Sequence, residues 1–308
     1  MGIFWSFLSA FLWGTTFVCA RFLLGGGYID PLTLSSIRFS LGGLLLLSYG
    51  LLYYRDEVLA VLPALRSLYI FRLALAALLG IVGMSVLLFY GQKTTTAINS
   101  SFIMQLNPLL ILLLGVFVGE SITWRKTAGM AISFVGIIML LNMIGSDGAY
   151  LSFANLSGNL MIFGSAVCWA VYSIISKGIV ERWGGYAATT WVMLLGAVEL
   201  GLIYLFLPAK HILPQDANVW LYILYLAVFP TAVAFFAWYE GMRLIKLSLL
   251  NIMQYLSPVF TVLLAWLWLG ERLTWLQTGG ILLIAVGIAI TFVSGNEGRY
   301  ALQERSKP

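Results

Sequence analysis

Apolar runs of about twenty residues follow one another along nearly the whole of this 308-residue chain, each bounded by glycine, proline or charge. A helix of that length, rising about 1.5 Å per residue, crosses the roughly 30 Å hydrocarbon layer of a bilayer. The runs are therefore read as membrane-crossing helices. Ten are legible, at residues 3–24, 32–54, 68–92, 97–118, 124–142, 157–180, 186–207, 218–241, 247–268 and 275–293. With 61% apolar and 9% charged residues, the chain cannot keep most of its surface in water, because soluble domains carry about a quarter charged residues. The expected fold class is all-α and integral to the membrane, which argues against soluble enzymes and nucleic-acid-binding proteins.

Lysine and arginine set the expected orientation. With the N-terminus in the cytoplasm, Arg55, Arg66, Arg72, Arg125, Lys126, Lys177, Arg182, Arg243, Lys246, Arg299, Arg305 and Lys307 fall on cytoplasmic ends and loops. Arg21, Lys93, Lys210 and Arg272 fall on the other side, and Arg38 lies inside the second run. The reading is a multi-pass inner-membrane protein with both termini cytoplasmic, and the net charge of +5 is a topology signal rather than a nucleic-acid footprint. The opening MGIFWSFLSAFLWG lacks a basic leader and is read as a retained first helix. Cys19 and Cys168 sit in apolar runs with no CxxC spacing, and the one histidine, His211, lies in a polar loop. No metal centre, cofactor or Ser/His/Asp triad is expected.

The chain also resembles itself. FLSAFLW at 7–13 aligns with FGSAVCW at 163–169, pairing Phe7, Ser9, Ala10 and Trp13 with Phe163, Ser165, Ala166 and Trp169 at an offset of 156. GESITWRKTAGMAISFVGI at 119–137 aligns with GERLTWLQTGGILLIAVGI at 270–288 at an offset of 151, and LNP at 106–108 meets LSP at 256–258 at an offset of 150. The halves are placed at 1–145 and 146–295, with 296–308 a solvated cytoplasmic tail. Each half holds five runs, and an odd number makes the second copy enter the membrane upside down. Inverted repeats are a transporter architecture, with the substrate site between halves that rock against each other.

These residues resemble the EamA-type branch of the drug/metabolite transporter superfamily over nearly the whole chain. What carries the resemblance is two copies of a proline-containing fourth helix followed by Gly-Glu, Thr-Trp and a glycine-rich fifth helix: Pro108, Gly119, Glu120 and Gly129, then Pro258, Gly270, Glu271 and Gly280. Arg38 following Asp30-Pro31 fits the same pattern. The resemblance implies ten helices, a central cavity lined by helices 1, 3, 4, 6, 8 and 9, and often export. Members similar in these motifs carry amino acids, nucleotide-sugar-like compounds, drugs and other metabolites, so the cargo stays open.

The candidate site residues follow from depth and residue type. Trp13 and Trp169 lie at mid-depth, away from the interfaces where Trp concentrates, and are either packing contacts or an aromatic cavity wall. Thr16 and Tyr172 stand on the same helix faces one turn away. Tyr90 and Tyr239, at an offset of 149, are interfacial aromatics or gate residues. Pro108 and Pro258 are read as mid-helix kinks or hinges, flanked by Gln105, Asn107, Gln254, Tyr255 and Ser257, whose polar groups are costly at membrane depth when unpaired. Met84, Met104 and Met253 complete the expected lining. Glu199 and Glu240 are candidates for carrying a coupling proton, while Arg38 either bonds carbonyls or binds an anion. Glu120 and Glu271 are read as helix caps. The pairs Gly129/Gly136 and Gly280/Gly287 are read as packing seams, with a homodimer through the glycine faces of helices 5 and 10 as one use. The combined expectation is a non-enzymatic secondary transporter of small organic metabolites such as amino acids, with a lipid-linked-intermediate flippase or a non-transporting scaffold as alternatives.

Overall fold

The computed structural model describes residues 1–65, 67–92, 103–119, 122–141, 156–206, 211–269 and 274–305. Every regular element among them is helical. In chain order these are α1 (Gly2–Gly25), α2 (Pro31–Tyr53), α3 (Tyr69–Gly91), α4 (Asn107–Phe117) and α5 (Trp124–Leu140). A helical stretch Leu156–Phe206 follows, then α8 (Ala217–Leu244), α9 (247–269) and α10 (Trp275–Arg305). At 51 residues, Leu156–Phe206 would measure about 77 Å as one rod, more than twice a bilayer. It breaks at Gly184, where φ is 81° and ψ 168°, a conformation that glycine adopts without a Cβ penalty. The result is α6 (156–183) and α7 (185–206), joined by one glycine where a loop was expected.

Six segments among the described residues are long and apolar enough to cross a bilayer: Pro31–Tyr53, Tyr69–Gly91, Leu156–Phe206, Ala217–Leu244, Leu247–Leu264 and Trp275–Phe292. The surface agrees with that setting, since Leu52, Phe71, Leu113, Val198, Leu221 and Leu282 all stand exposed, as expected of residues whose solvent is lipid. Two further differences from the sequence reading concern the ends of elements. Short helices at Arg55–Leu59 and Leu62–Leu65 occupy the loop between α2 and α3; they are anchored by buried Val58, whose carbonyl accepts from Trp191 Nε1 at 2.8 Å. The last helix continues to Arg305, past residue 293 and through most of the expected tail.

Helix starts are fixed by short polar side chains. Asp30 caps α2, its Oδ1 accepting from the N–H groups of Leu32 and Thr33 at 3.1 and 3.0 Å, with Pro31 in the first turn. Asp30 Oδ2 also accepts from the Ile212 N–H at 2.7 Å, tying the start of α2 to the loop before α8. Thr123 caps α5, and Thr274 with Gln277 forms a reciprocal capping box at α10. The capping expected of Glu120 and Glu271 concerns residues outside the described ones; the threonine of each Thr-Trp pair is the cap that is seen.

α5 and α10 cross in an antiparallel seam of small residues. A Cβ placed on Gly136 would stand 2.7 Å from the Gly280 carbonyl oxygen, and one on Gly280 would stand 2.6 Å from the Gly136 carbonyl. Gly129 faces Gly287 in the same way. Small residues permit this backbone approach, and Ser133 adds a hydrogen bond to the Ile284 carbonyl at 3.3 Å. The glycine faces anticipated as a dimer contact are therefore consumed inside one chain. Trp124 and Trp275, the first residues of these two antiparallel helices, are both exposed.

Gly280→Val should drive a side chain into the α5 backbone and cost about 1–3 kcal/mol, read as a lower thermal midpoint in detergent. Gly201→Ala, at a helical glycine with nothing within 4 Å, should be neutral or slightly stabilising. For Asp30, burial raises the carboxyl pKa, but the hydrogen bonds from Thr33 and Ile212, with His211 nearby, outweigh it and hold the pKa below the usual carboxylate value. The stability this carboxylate gives is present above the unfolded-state pKa and is lost as pH falls through the lowered folded value. Asp30→Ala should thus cost about 1 kcal/mol at neutral pH, and its thermal midpoint should converge with that of the parent protein as the solution is acidified past that range.

Candidate functional site

The central helices are broken in corresponding pairs, α3 with α8 and α4 with α9. α3 carries a π-helical segment at Leu78–Gly83 and α8 one at Ala227–Val233. α4 begins after a turn at residues 105–106, and α9 is interrupted by a 3-10 turn at Met253–Tyr255. Pro108 and Pro258 therefore fall at the second residue of Asn107–Leu114 and the third of Leu256–Leu269. They start helices and do not kink them at mid-span. A proline in a first helical turn gives up no intrahelical hydrogen bond, because that N–H has no acceptor there.

Side chains satisfy the carbonyls that these breaks expose. Pro230 has no N–H to give Leu226, and the Thr231 hydroxyl donates to that carbonyl at 2.8 Å. The Pro230 carbonyl accepts the Trp13 indole N–H at 3.1 Å. Ser165 donates to the Met84 carbonyl, just past the π segment of α3, at 2.8 Å, and Thr261 reaches the carbonyls of Gly14 and Ser257 at 2.9 and 3.1 Å. At Gly80 the α3 backbone lies directly against the Tyr172 ring, where a Cβ would overlap it.

Between the two π segments lies an aromatic cluster. Trp13 meets Trp169, Trp238 and Phe235 at ring-centroid distances of 5.4, 5.3 and 5.6 Å, and Trp169 meets Trp238 at 5.8 Å and Tyr172 at 5.1 Å. The Tyr172 hydroxyl donates to that of Tyr239 at 2.9 Å, and Ser176 Oγ lies 3.2 Å from the Tyr239 hydroxyl. Lys177 Nζ donates to the Met242 carbonyl at 2.7 Å, extending the α6–α8 contact by a turn. Of the candidates named from the sequence, Trp13, Trp169, Tyr172 and Tyr239 are thus brought together. Trp238, Phe235, Ser176 and Thr231 belong to the same centre and were missed, although Pro230-Thr231 inside an apolar run was a usable signal.

Several polar atoms around this centre are buried without a hydrogen-bond partner among the described residues: Trp169 Nε1, Trp238 Nε1, Asn107 Oδ1 and Ser257 Oγ. Each such group carries a desolvation penalty of about 1–3 kcal/mol that a polar solute or water can relieve. Gln105 is buried, Met84 and Thr16 are half-buried, and Gln254 turns to Asn251 at 3.4 Å. Met104 meets the Ser165 hydroxyl through its sulfur at 3.6 Å, and Met253 is buried.

The remaining expected residues lie apart. Tyr255 packs with Leu112, Met130 and Ile284 in a second apolar cluster. Tyr90 lines a narrow crevice between α2 and α3 with Ser35 and Ser85. Glu240 is held by Arg243, with Nη2 and Nε at 2.7 and 2.9 Å. Glu199 is half-buried on α7 and its Oε2 has no partner among the described residues.

What these features define first is a class, an all-helical multi-pass membrane protein whose centre is aromatic and whose central helices are interrupted. The model of the EamA-like transporter family matches residues 1–142 and 156–293, and the chain belongs to that family. It is 27% identical over 277 residues to the uncharacterized transporter YyaM of Bacillus subtilis, covering 89% of this chain and 88% of that protein. It is 26% identical over 273 residues to a probable terminal-alkyne amino-acid exporter of Streptantibioticus cattleyicolor, covering 86% and 84%. It is also 26% identical over 265 residues to the aromatic amino acid exporter YddG of Ancylobacter novellus, covering 84% and 85%. A solved crystal structure shares the fold, with a TM-score of 0.82 at 22% identity over 96% of this chain and 98% of the other.

The two tryptophans at the centre have opposite bonding, which predicts opposite behaviour. Trp13→Phe should leave the Pro230 carbonyl unpaired, whereas Trp169→Phe removes an indole N–H that has no partner among the described residues. Thermal unfolding in detergent should find Trp13→Phe less stable than Trp169→Phe by about 1–3 kcal/mol; equal destabilisation would contradict the assignment of these hydrogen bonds.

Proposed function

We propose that this protein is a secondary transporter that moves small amino acids with apolar or aromatic side chains across the inner membrane by alternating access, in the direction of export. The observation that carries the reading is the aromatic centre, in which the Trp169 and Trp238 N–H groups have no partner among the described residues and lie between two π-interrupted helices. π segments inside membrane helices are common at functional sites. The names of two relatives, both amino-acid exporters, favour the same cargo.

The architecture proposed is ten crossings in two inverted five-helix repeats, residues 1–145 and 146–295, with cytoplasmic termini. The paired π segments and the paired breaks before Pro108 and Pro258 support it. The glycine seam supports it further: exchanging each glycine for its repeat partner, Gly129 for Gly280 and Gly136 for Gly287, turns the Gly129–Gly287 contact into the Gly280–Gly136 contact. A contact set that maps onto itself is what a pseudo-two-fold axis between halves requires. Solute would sit among Trp13, Trp169, Tyr172 and Tyr239, with Gln105, Asn107 and Ser257 as polar lining. Rocking would pivot near Pro108 and Pro258. Of the two coupling candidates, Glu240 is ion-paired with Arg243, so Glu199 is the carboxylate proposed to carry a proton.

The test is counterflow of labelled tryptophan and phenylalanine in liposomes holding the purified protein. Saturable exchange is expected, reduced at least about tenfold by Trp169→Ala through loss of aromatic contact. Glu199→Gln should abolish accumulation driven by a pH gradient while sparing counterflow. Unsaturable flux of both amino acids would overturn the cargo assignment, and unchanged pH-driven accumulation would overturn the coupling role of Glu199.

A further inference from the structure

Arg38 lies within α2 with 6% of its surface exposed. Its Nε donates to Thr231 Oγ1 at 2.9 Å, and its guanidinium lies 5.1 Å from the Phe39 ring centroid. Thr231 is its sole hydrogen-bond partner among the described residues, and no carboxylate there stands within ion-pair distance of it. A guanidinium has five N–H donors, so both Nη groups remain without an acceptor. Arginine is unfavourable inside a membrane unless paired, and unpaired ones face substrate pathways.

The orientation of this cation is fixed. The Thr231 hydroxyl spends its own proton on the Leu226 carbonyl and can only accept from Arg38, which holds the guanidinium by its Nε edge. α2 and α8 are in close contact here, since a Cβ on Gly42 would stand 2.9 Å from the Thr231 methyl. What remains free is the Nη1/Nη2 edge, which matches the two oxygens of a carboxylate. One turn along α8, on the same face, Phe235 packs against Phe39 at 5.7 Å, Trp13 at 5.6 Å and Trp169 at 5.9 Å. Four residues of helix advance about 6 Å, and in an aromatic amino acid the carboxylate and the ring are separated by about 5 Å, counting bond lengths.

We infer that Arg38, presented by Thr231, is the carboxylate subsite of the transport site, and that it selects amino acids over their decarboxylated amines. The inference rests on the amino-acid reading above and adds the group that recognises the charged end of the cargo. At this centre Arg38 is the one unpaired cation among the described residues, which fits a single negative charge better than a dianionic phosphate.

The test uses the full chain in liposomes, with labelled tryptophan as the counterflow substrate and two competitors. Tryptamine lacks the carboxylate, and indole-3-propionate keeps it but lacks the amine. Wild type should be inhibited by indole-3-propionate and at least about tenfold more weakly by tryptamine, as a site built to bond a missing group rejects its analogue. Arg38→Gln should weaken tryptophan binding by a similar factor and remove the discrimination against tryptamine, and Arg38→Lys should restore only part of it. Thr231→Val, which keeps the shape but loses the acceptor for Nε, should reduce discrimination with the protein still folded, so the proposal stays testable if Arg38→Gln does not fold. Equal competition by tryptamine and tryptophan in wild type, or unaltered discrimination in both Thr231→Val and a folded Arg38→Gln, would overturn the subsite while leaving amino-acid transport standing. Absence of saturable tryptophan exchange would overturn the cargo reading and the subsite together.

Discussion

Inside a bilayer no water is at hand to bond a backbone carbonyl, so a helix that breaks must find its replacement partners within the protein. The centre of this chain is organised by that requirement. α3, α4, α8 and α9 all depart from α-helical geometry near the middle of the molecule, and Trp13, Ser165, Thr231 and Thr261 each reach a carbonyl at or beside such a departure. These bonds hold the aromatic cluster in place as well. Trp13 is oriented by the Pro230 carbonyl, which sets it edge-on to Trp169 at an interplanar angle of 82°; Tyr172 is seated on bare backbone at Gly80. The polar and aromatic features of the site are thus one arrangement, since the side chains that form its walls also repair the helices that frame it.

The contact between α6 and α8 is closed in a way that a transport cycle could reverse. Tyr172, Ser176 and Lys177 reach Tyr239 and Met242 through hydrogen bonds of 2.9, 3.2 and 2.7 Å. At about 1 kcal/mol net for each bond, this contact is worth roughly 3 kcal/mol, before its packing is counted. Ligands shift conformational equilibria only by their differential affinity for the two states, and a few kcal/mol is within that reach. On the proposed reading, a solute whose ring competes for Tyr172 and Trp169 acts on the same side chains that keep this end shut.

Much of this was legible in the sequence, and the failures have identifiable causes. Trp13 and Trp169 could be paired because they recur at a fixed offset, and the glycine seam because both copies keep a seven-residue spacing. Trp238 and Phe235 could not, because α8 is apolar on every side, and a helix facing lipid on one side and protein on the other shows no polar stripe to mark its inner face. Pro230 was passed over since its repeat partner is Ile81, and the π segment in α3 forms with no proline at all. Pro108 and Pro258 were noticed for the right reason but placed in unbroken helices; the turns before them involve Gln105 and Gln254, residues with no turn signature of their own. The glutamates of the Gly-Glu pairs drew attention away from Thr123 and Thr274, although T-x-x-Q at 274–277 is a capping box that could have been read directly.

On the proposed two-repeat reading, the halves match in backbone and differ in chemistry, and the difference has a physical rationale. Pro230 offers its carbonyl to Trp13, while Ile81 at the related place offers none to Trp169, whose N–H has no partner among the described residues. Arg38 on α2 has no basic counterpart on α7, since residues 185–206 contain neither Lys nor Arg. Backbone symmetry is what allows two states to be exchanged by swapping the conformations of the halves. Chemical symmetry would be a handicap, because an amino acid has one carboxylate and one side chain, and a second buried cation across the axis would remain unpaired in every state of the cycle at a cost of about 3 kcal/mol or more. If the proposed repeat and cargo hold, divergence of the two copies at Arg38, Thr231 and Pro230 is what a pseudo-symmetric fold needs in order to bind an asymmetric solute.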